Sequence, residues 1–351
     1  MSLFTTKPSA DRRPRSIATK QCAWLLCLAI GCSEDPSGFL YEEQMLEAID
    51  MHLHSGEWSL IPPSTQSYLA SNFPFPFSLI PGQLAEQALS ADSIVDQLDS
   101  AGFKHGVVFA VYAPHSVGIT TNDMVLETMS EAPSRLLGMA SLRLDNWEED
   151  SETELAALDE ALANDNMVGI KLAHAHQHFR MDDPAYYDIY EIAAQHQAPI
   201  YLHTGPSPFP GTMGAAPYTD AGYLEDAIEM FPDVQFILGH VGYDFTNKAL
   251  GTFETCLSLA ARYENVYLEP SALGSEGSDP TGENYPEILK RTKEEGLVDR
   301  LIYGSDGPQY PGFLSSYAER TRIAMESADY TLEDADMFLS GNFERIFGLS
   351  Q

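Results

Sequence analysis

The stretch GIKLAHAHQHFRMDDPAYYDIYEIAAQHQAPIYLHTG runs from Gly169 to Gly205, and its reading decides the fold. It opens within one apolar run, VGIKLA (168–173), and closes on another, PIYLH (199–203). Both runs are short and rich in Val, Ile, Leu and Tyr, and neither alternates polar with apolar. That is the pattern of strands buried on both faces. Between them, YYDIYEIAAQH (186–196) carries apolar residues at helical spacing. Strand, helix and strand in succession make a βαβ unit with parallel strands.

The same unit recurs on both sides. Further apolar runs are AIDMHLH (48–54), GVVFAVY (106–112), LLGMASL (136–142), VQFILGH (234–240), NVYLEP (265–270) and RLIYGSD (300–306), which makes eight in all. Helical patterns lie between most of them. SIVDQLDSAGF (93–103) ends at Gly102, and SETELAALDEALAN (151–164) offers Ser151 and Glu154 as a capping box. YLEDAIEMFP, TFETCLSLAARYE and YPEILKRTKEEG complete the series. Eight strands alternating with helices predict an α/β fold, a (β/α)8 barrel over residues 47–351. An open doubly wound sheet is the competing fold. It wants a glycine-rich phosphate loop after an early strand, and none is present.

Polar residues punctuate these strands at their C-terminal ends. His52 and His54 close the first run, His203 the fifth, His240 the sixth and Asp306 the eighth, while Lys171 lies in the fourth. Side chains two apart on a strand share a side, so His52 and His54 can grip one metal ion. In a barrel the C-terminal strand ends converge on one face, where residues distant in sequence meet. A single such histidine is more often a satisfied core or loop residue. Four strands ending this way are hard to ascribe to chance.

At this point the chain resembles the amidohydrolase superfamily, specifically its amidohydrolase-related (amidohydrolase 2) branch of barrel enzymes. IDMHLH, the Gly169–Gly205 stretch, FPDVQFILGHVG, LIYGSDGP and SGNFERIFG carry the resemblance, which covers roughly residues 47–348. It implies His52, His54, His203 and Asp306 as ligands of one divalent transition metal. His240 would act beside that metal or ligate a second one. Lys171 matches a Gly-Ile-Lys-Leu pattern that goes with a mononuclear site, so a binuclear centre bridged by Lys171 is the lesser alternative.

Three imidazoles and a carboxylate suit Zn²⁺, with Mn²⁺ or Fe²⁺ as alternatives, better than Ca²⁺ or Mg²⁺, which prefer oxygen shells. A metal there lowers the pKa of a bound water towards about 7. With Asp306 and His240 as proton carriers, the expected reaction is hydrolysis of an amide, ester or lactone of a small molecule. Non-oxidative decarboxylation of an aromatic or enoic acid uses the same ligands and is the alternative. A non-catalytic surface lipoprotein is the third reading, and the intact ligand set argues against it.

The segment after the first strand, Glu57 to Leu84, exceeds a simple connection and carries Trp58, Tyr68, Phe73, Phe75 and Phe77. With Gly205 to Asp220 after the fifth strand, it is expected at the barrel mouth as a lid or pocket wall. Arg143 and Arg180 are candidates to meet a substrate carboxylate. His174, His176 and His178 read as solvated loop histidines.

The chain has 351 residues, with 52 acidic against 19 basic, a formal charge of -33. Such a surface repels nucleic acid and anionic lipid. Its N-terminus differs. Lys7, Arg12, Arg13, Arg15 and Lys20 precede the apolar run CAWLLCLAIGC, Cys22 to Cys32, which is too short to span a bilayer. LAIGC resembles a bacterial lipobox. It predicts a signal peptide at 1–31, lipid attachment at Cys32, a tether at 32–46 and an exported, membrane-anchored enzyme. Cys256 would then be the last free thiol, on the apolar face of a helix, as a small buried hydrophobe.

Overall fold

The computed structural model describes residues 38–73 and 75–348. The predicted signal peptide and Cys32 lie outside the described residues. Seven parallel strands form one curled sheet: β1 (Ile49–His54), β2 (His105–Phe109), β3 (Leu136–Ala140), β4 (Met167–Leu172), β5 (Ile200–His203), β6 (Phe236–Gly239) and β7 (Val266–Glu269). Each strand pairs with its neighbour in sequence, as helical crossovers of one hand require.

The eighth run closes the barrel without forming a regular strand. Leu301 bridges Leu268 of β7, and Gly307 bridges Leu53 of β1. The amides of Met51 and His54 donate to the Tyr303 and Gly307 carbonyls, and the Asp306 amide donates to the His52 carbonyl. Regularity is lost because Asp306 adopts a left-handed backbone, φ 62°. The predicted second run is also divided. β2 ends at Phe109, and Val111–Ala113 pairs instead with Gly118–Thr120 as a small hairpin over the barrel mouth.

Two layers of core result. Ile49, Met51, Val107, Phe109, Met139, Tyr201, Ile237, Tyr267 and Ile302 pack together inside the barrel. Their sequence neighbours, such as Val108, Ile170, Leu202, Leu238 and Leu268, face the helices. Cys256 is buried in that outer layer, as expected.

Two local expectations are corrected. The segment 32–46 is not a tether throughout: Phe39–Tyr41 and Gln44–Leu46 pair as an antiparallel hairpin. Phe39 and Tyr41 are buried, and the Tyr41 hydroxyl donates to the Tyr330 carbonyl at 2.8 Å. The capping box is absent because the helix starts earlier, at Trp147, with Glu148, Glu149 and Asp150 in its first turn. Glu154 instead accepts a hydrogen bond from the Arg143 amide, 2.9 Å. The insertion after β1 is helical in part, with helices at Pro63–Asn72 and Pro81–Ala88. Among the described residues no helix is long and apolar enough to cross a membrane.

Candidate metal centre

β1 carries a bulge. Ile49 and Asp50 pair with His105 and Gly106, but Leu53 and His54 pair with Val108 and Phe109, so one extra residue sits in β1 between Asp50 and Leu53. A bulge re-aims the side chains that follow it. Met51 stays in the barrel interior, Leu53 turns to the helices, and His52 and His54 both reach the mouth. Asp50 secures the bulge. Its Oδ1 accepts from the Ser305 amide at 2.9 Å and from the His52 amide at 3.2 Å. Burial pushes the Asp50 carboxyl up to about 7.

His52, His54 and Asp306 meet there, with one ligand atom from each within 4.8 Å of the others. Asp306 Oδ1 lies 3.2 Å from His52 Nε2 and 2.9 Å from His54 Nε2. Donors bound at about 2.0–2.1 Å to one tetrahedral ion stand roughly 3.3–3.4 Å apart, so each histidine is close to coordination spacing from Asp306. Burial raises the Asp306 carboxyl, but His52, the hydrogen bond from His54 and His240 together hold it well below the usual carboxylate range. Burial lowers His52 well below the ordinary imidazole value, which keeps it neutral and able to ligate.

Sequence reading missed the residue that orders this centre. Glu269, at the end of β7, is fully buried. Its Oε1 accepts from His52 Nδ1 at 3.2 Å. Its Oε2 accepts from the Ser271 hydroxyl at 2.7 Å, the Tyr201 hydroxyl at 3.1 Å and the His240 amide at 3.3 Å. The His52 proton therefore sits on Nδ1 and the Nε2 lone pair faces Asp306. That nitrogen is buried and makes no hydrogen bond. A lone pair held against a carboxylate oxygen fits a cation between them, and a carboxylate behind a ligating histidine is the usual outer support of such a site. Ser271 spends its proton on Glu269, so its oxygen accepts from His240 Nδ1 at 2.9 Å. His240 is left with an unprotonated Nε2. The hint was present in the run NVYLEP, whose glutamate ends a strand as the histidines do.

Two glycines make room for this network. A Cβ at Gly239 would lie 1.9 Å from the Tyr201 ring, and one at Gly304 would lie 1.9 Å from Glu269 Oε1. His240 and Val241 hold left-handed backbones, φ 60° and 47°, as Asp306 does. Such conformations are unfavourable for residues with a Cβ and gather where a site dictates them.

The remaining candidates divide. His203 lines the same pocket, its ring 4.5 Å from that of His240. It is not part of the close trio, and its Nε2 is buried without a hydrogen-bond partner. Lys171 is buried in the pocket wall, its ammonium 3.9 Å from the Tyr201 ring centre and 5.0 Å from that of Phe109. Burial pulls it down to about 7. His174 and His176 are buried, which corrects the solvated reading, because residues 174–177 form a helical turn tucked under the loop after β5. The Ser116 hydroxyl donates to the His176 carbonyl and accepts from His176 Nδ1 at 3.0 Å. His178 is exposed and bonds the Gly211 carbonyl. Neither Arg143 nor Arg180 lines the pocket, and Arg180 is paired with Asp182.

The pocket above the trio has a volume of about 190 Å³. Its upper wall comes from Trp58, Ile61, Leu69 and Phe73 of the insertion, Ile119 of the hairpin and Phe209 after β5. Both predicted loop segments thus reach the mouth. Phe75 does not line the pocket and is 80% exposed.

The family model described as Amidohydrolase matches residues 49–349. A probable 2-pyrone-4,6-dicarboxylic acid hydrolase from Acinetobacter baumannii, solved with citric acid bound, superposes with a TM-score of 0.60 at 19% identity, over 86% of this chain and 100% of that one. A dihydroxybenzoic acid decarboxylase from Polaromonas sp. JS666, solved with manganese and 2-nitroresorcinol, gives 0.61 at 18% identity, over 88% and 98%. Protein fluG of Emericella nidulans is 27% identical over 169 residues, 45% of this chain. The chain spans only 18% of that relative's length.

Proposed function

The chain belongs to the amidohydrolase family, and from that premise we propose that it is a metal-dependent hydrolase of a small ester, amide or lactone. The convergence of His52 Nε2 and His54 Nε2 on Asp306 Oδ1, at the floor of an apolar pocket, carries this reading. His52, His54 and Asp306 hold the cation, and the orphaned Nε2 of His203 is the fourth donor. Zn²⁺ suits this set best, with Mn²⁺ or Fe²⁺ next. When bound, the ion supplies Lewis acidity and makes water acidic enough to attack near neutral pH. Glu269 fixes the tautomers of His52 directly and of His240 through Ser271. Burial keeps His240 neutral, so its Nε2 can take a proton from the attacking water and return it to the leaving oxygen or nitrogen. Asp306 keeps its charge and orients that water.

A second reading, decarboxylation of a carboxylic acid, is favoured by Lys171. It is the one lysine or arginine among the described residues lining the pocket, and it could hold a carboxylate beside the metal. Incorporation of ¹⁸O from water into product supports hydrolysis, and CO₂ release supports the second reading. Either requires about one divalent transition metal per chain, lost in the His52→Ala, His54→Ala double variant. Full metal content in that variant refutes both. For the N-terminal segment we propose export and lipid attachment at Cys32, from residues 1–32 alone. A mass spectrum of the mature N-terminus tests it.

A further inference from the structure

We propose that the substrate carries an apolar chain or ring of several carbons next to the bond that is cut, and no negative charge. This rests on the hydrolase reading above and adds a substrate class to it. The histidines, Lys171 and Asp306 of the site come from the strand ends, and the polar residues Ser55, Glu57, Thr65, Thr120 and Gln309 also line the pocket, but its exposed surface is mostly apolar. Above the strand ends the apolar walls are the side chains of Trp58, Ile61, Leu69, Phe73, Ile119 and Phe209, drawn from three separate connections. The insertion and the loop after β5 meet edge to face, Tyr68 against Phe209 with ring centres 5.2 Å apart, so the wall is continuous across them. A pocket of about 190 Å³ holds roughly six waters' worth of liquid volume, or a similar number of methylene-sized groups. Apolar surface also continues outward along the same segment, where Phe75, Leu79 and Ile80 are 80%, 69% and 49% exposed. Large apolar side chains gathered on one exposed segment mark a contact surface more often than chance scatter does.

Charge points the same way. Among the described residues Lys171 is the one lysine or arginine lining the pocket, and its ammonium is engaged by the Tyr201 ring and faces the field of Asp306 and Glu269. A carboxylate on the substrate's chain or ring would be buried among apolar walls and would approach a protein of formal charge -33. A neutral acyl or aryl ester, lactone or amide meets neither penalty.

The test uses the purified metal-loaded protein with 4-nitrophenyl esters from acetate to octanoate, and 4-nitrophenyl hemiglutarate as the charged counterpart of the pentanoate. The expected result is a kcat/KM that rises about 3- to 4-fold per methylene until the pocket is full, the factor that burying a methylene gives. The hemiglutarate should be at least tenfold poorer than the pentanoate. Leu69→Glu, on the inserted helix outside the barrel, should flatten the series. A parallel thermal-shift titration with 1-butanol, 1-hexanol and 1-octanol reads the pocket without turnover, and stabilisation at equal concentration should grow with length. Hydrolysis without length dependence, or with the hemiglutarate preferred, overturns this proposal and leaves the hydrolase reading intact. Length-dependent alkanol binding without hydrolysis of any ester overturns the hydrolase reading and supports the apolar pocket.

Discussion

Replacing Glu269 by glutamine keeps the shape of the side chain and removes its charge. At the Oε2 position four donors converge: the Ser271 hydroxyl at 2.7 Å, the Tyr201 hydroxyl at 3.1 Å, the His240 amide at 3.3 Å and the Ser271 amide at 3.4 Å. An amide nitrogen placed there would face four donors, so the glutamine must turn its oxygen to them. Its NH₂ then faces His52 Nδ1, now 3.2 Å from Oε1. A donor at that place moves the His52 proton to Nε2, the atom needed for the metal. The alternative orientation keeps the His52 tautomer and leaves four buried donors opposed. Each loss of this kind costs about 1–3 kcal/mol. Loss of an outer carboxylate behind a ligating histidine weakens metal binding about 10- to 100-fold, or roughly 1.4–2.7 kcal/mol. Glu269→Gln should therefore bind Zn²⁺ 10- to 100-fold more weakly in a chelator competition at pH 7.5, while its fold stays intact by circular dichroism. An affinity within about twofold of the parent would refute the assignment of the His52 tautomer and of Glu269 as its support.

Three further outcomes are expected. His240→Ala should lose about 10²-fold or more in kcat while retaining one metal per chain, since its Nε2 carries the proton and is not in the close trio; parallel loss of metal on elemental analysis would make it a ligand instead. Lys171 is held at about 7 when folded against the ordinary lysine value of 10.5, so the unfolded chain binds more protons between those values. Its burial penalty is full below about pH 7 and fades as pH rises towards 10.5, so Lys171→Met should raise the Tm of the metal-free protein more at pH 6 than at pH 9. Asp50→Ala leaves the Ser305 and His52 amides without their acceptor and should destabilise the barrel by about 1–3 kcal/mol in urea unfolding, whereas Asp50→Asn, which keeps that oxygen, should lose less.

Much of the site was legible. The strand runs placed His52, His54, His203, His240 and Asp306 at strand ends, and the barrel topology brings them to one pocket. Periodicity found the helix over Phe253–Arg262 and the burial of Cys256. Periodicity could not find the bulge in β1, because the extra residue is defined only by the partner strand it pairs with. Nor could it find the burial of His174 and His176, whose cover comes from the loops laid over that turn.

By itself, then, the sequence determined the order of strands and helices and the residue types at the strand ends, since both follow from local spacing along the chain. Only the tertiary structure decided which atoms face one another. His52 meets Glu269 across 217 residues and His54 meets Asp306 across 252. The protonated nitrogen of His52 is set by an acceptor on a strand that local pattern reads as plain core. The N-terminal hairpin owes its place to the same cause: Tyr41 reaches Tyr330 across 289 residues, a contact that a polar, glycine-containing segment does not announce. Hydrogen-bond direction and burial are properties of the assembled barrel, because each depends on a partner supplied by a distant part of the chain.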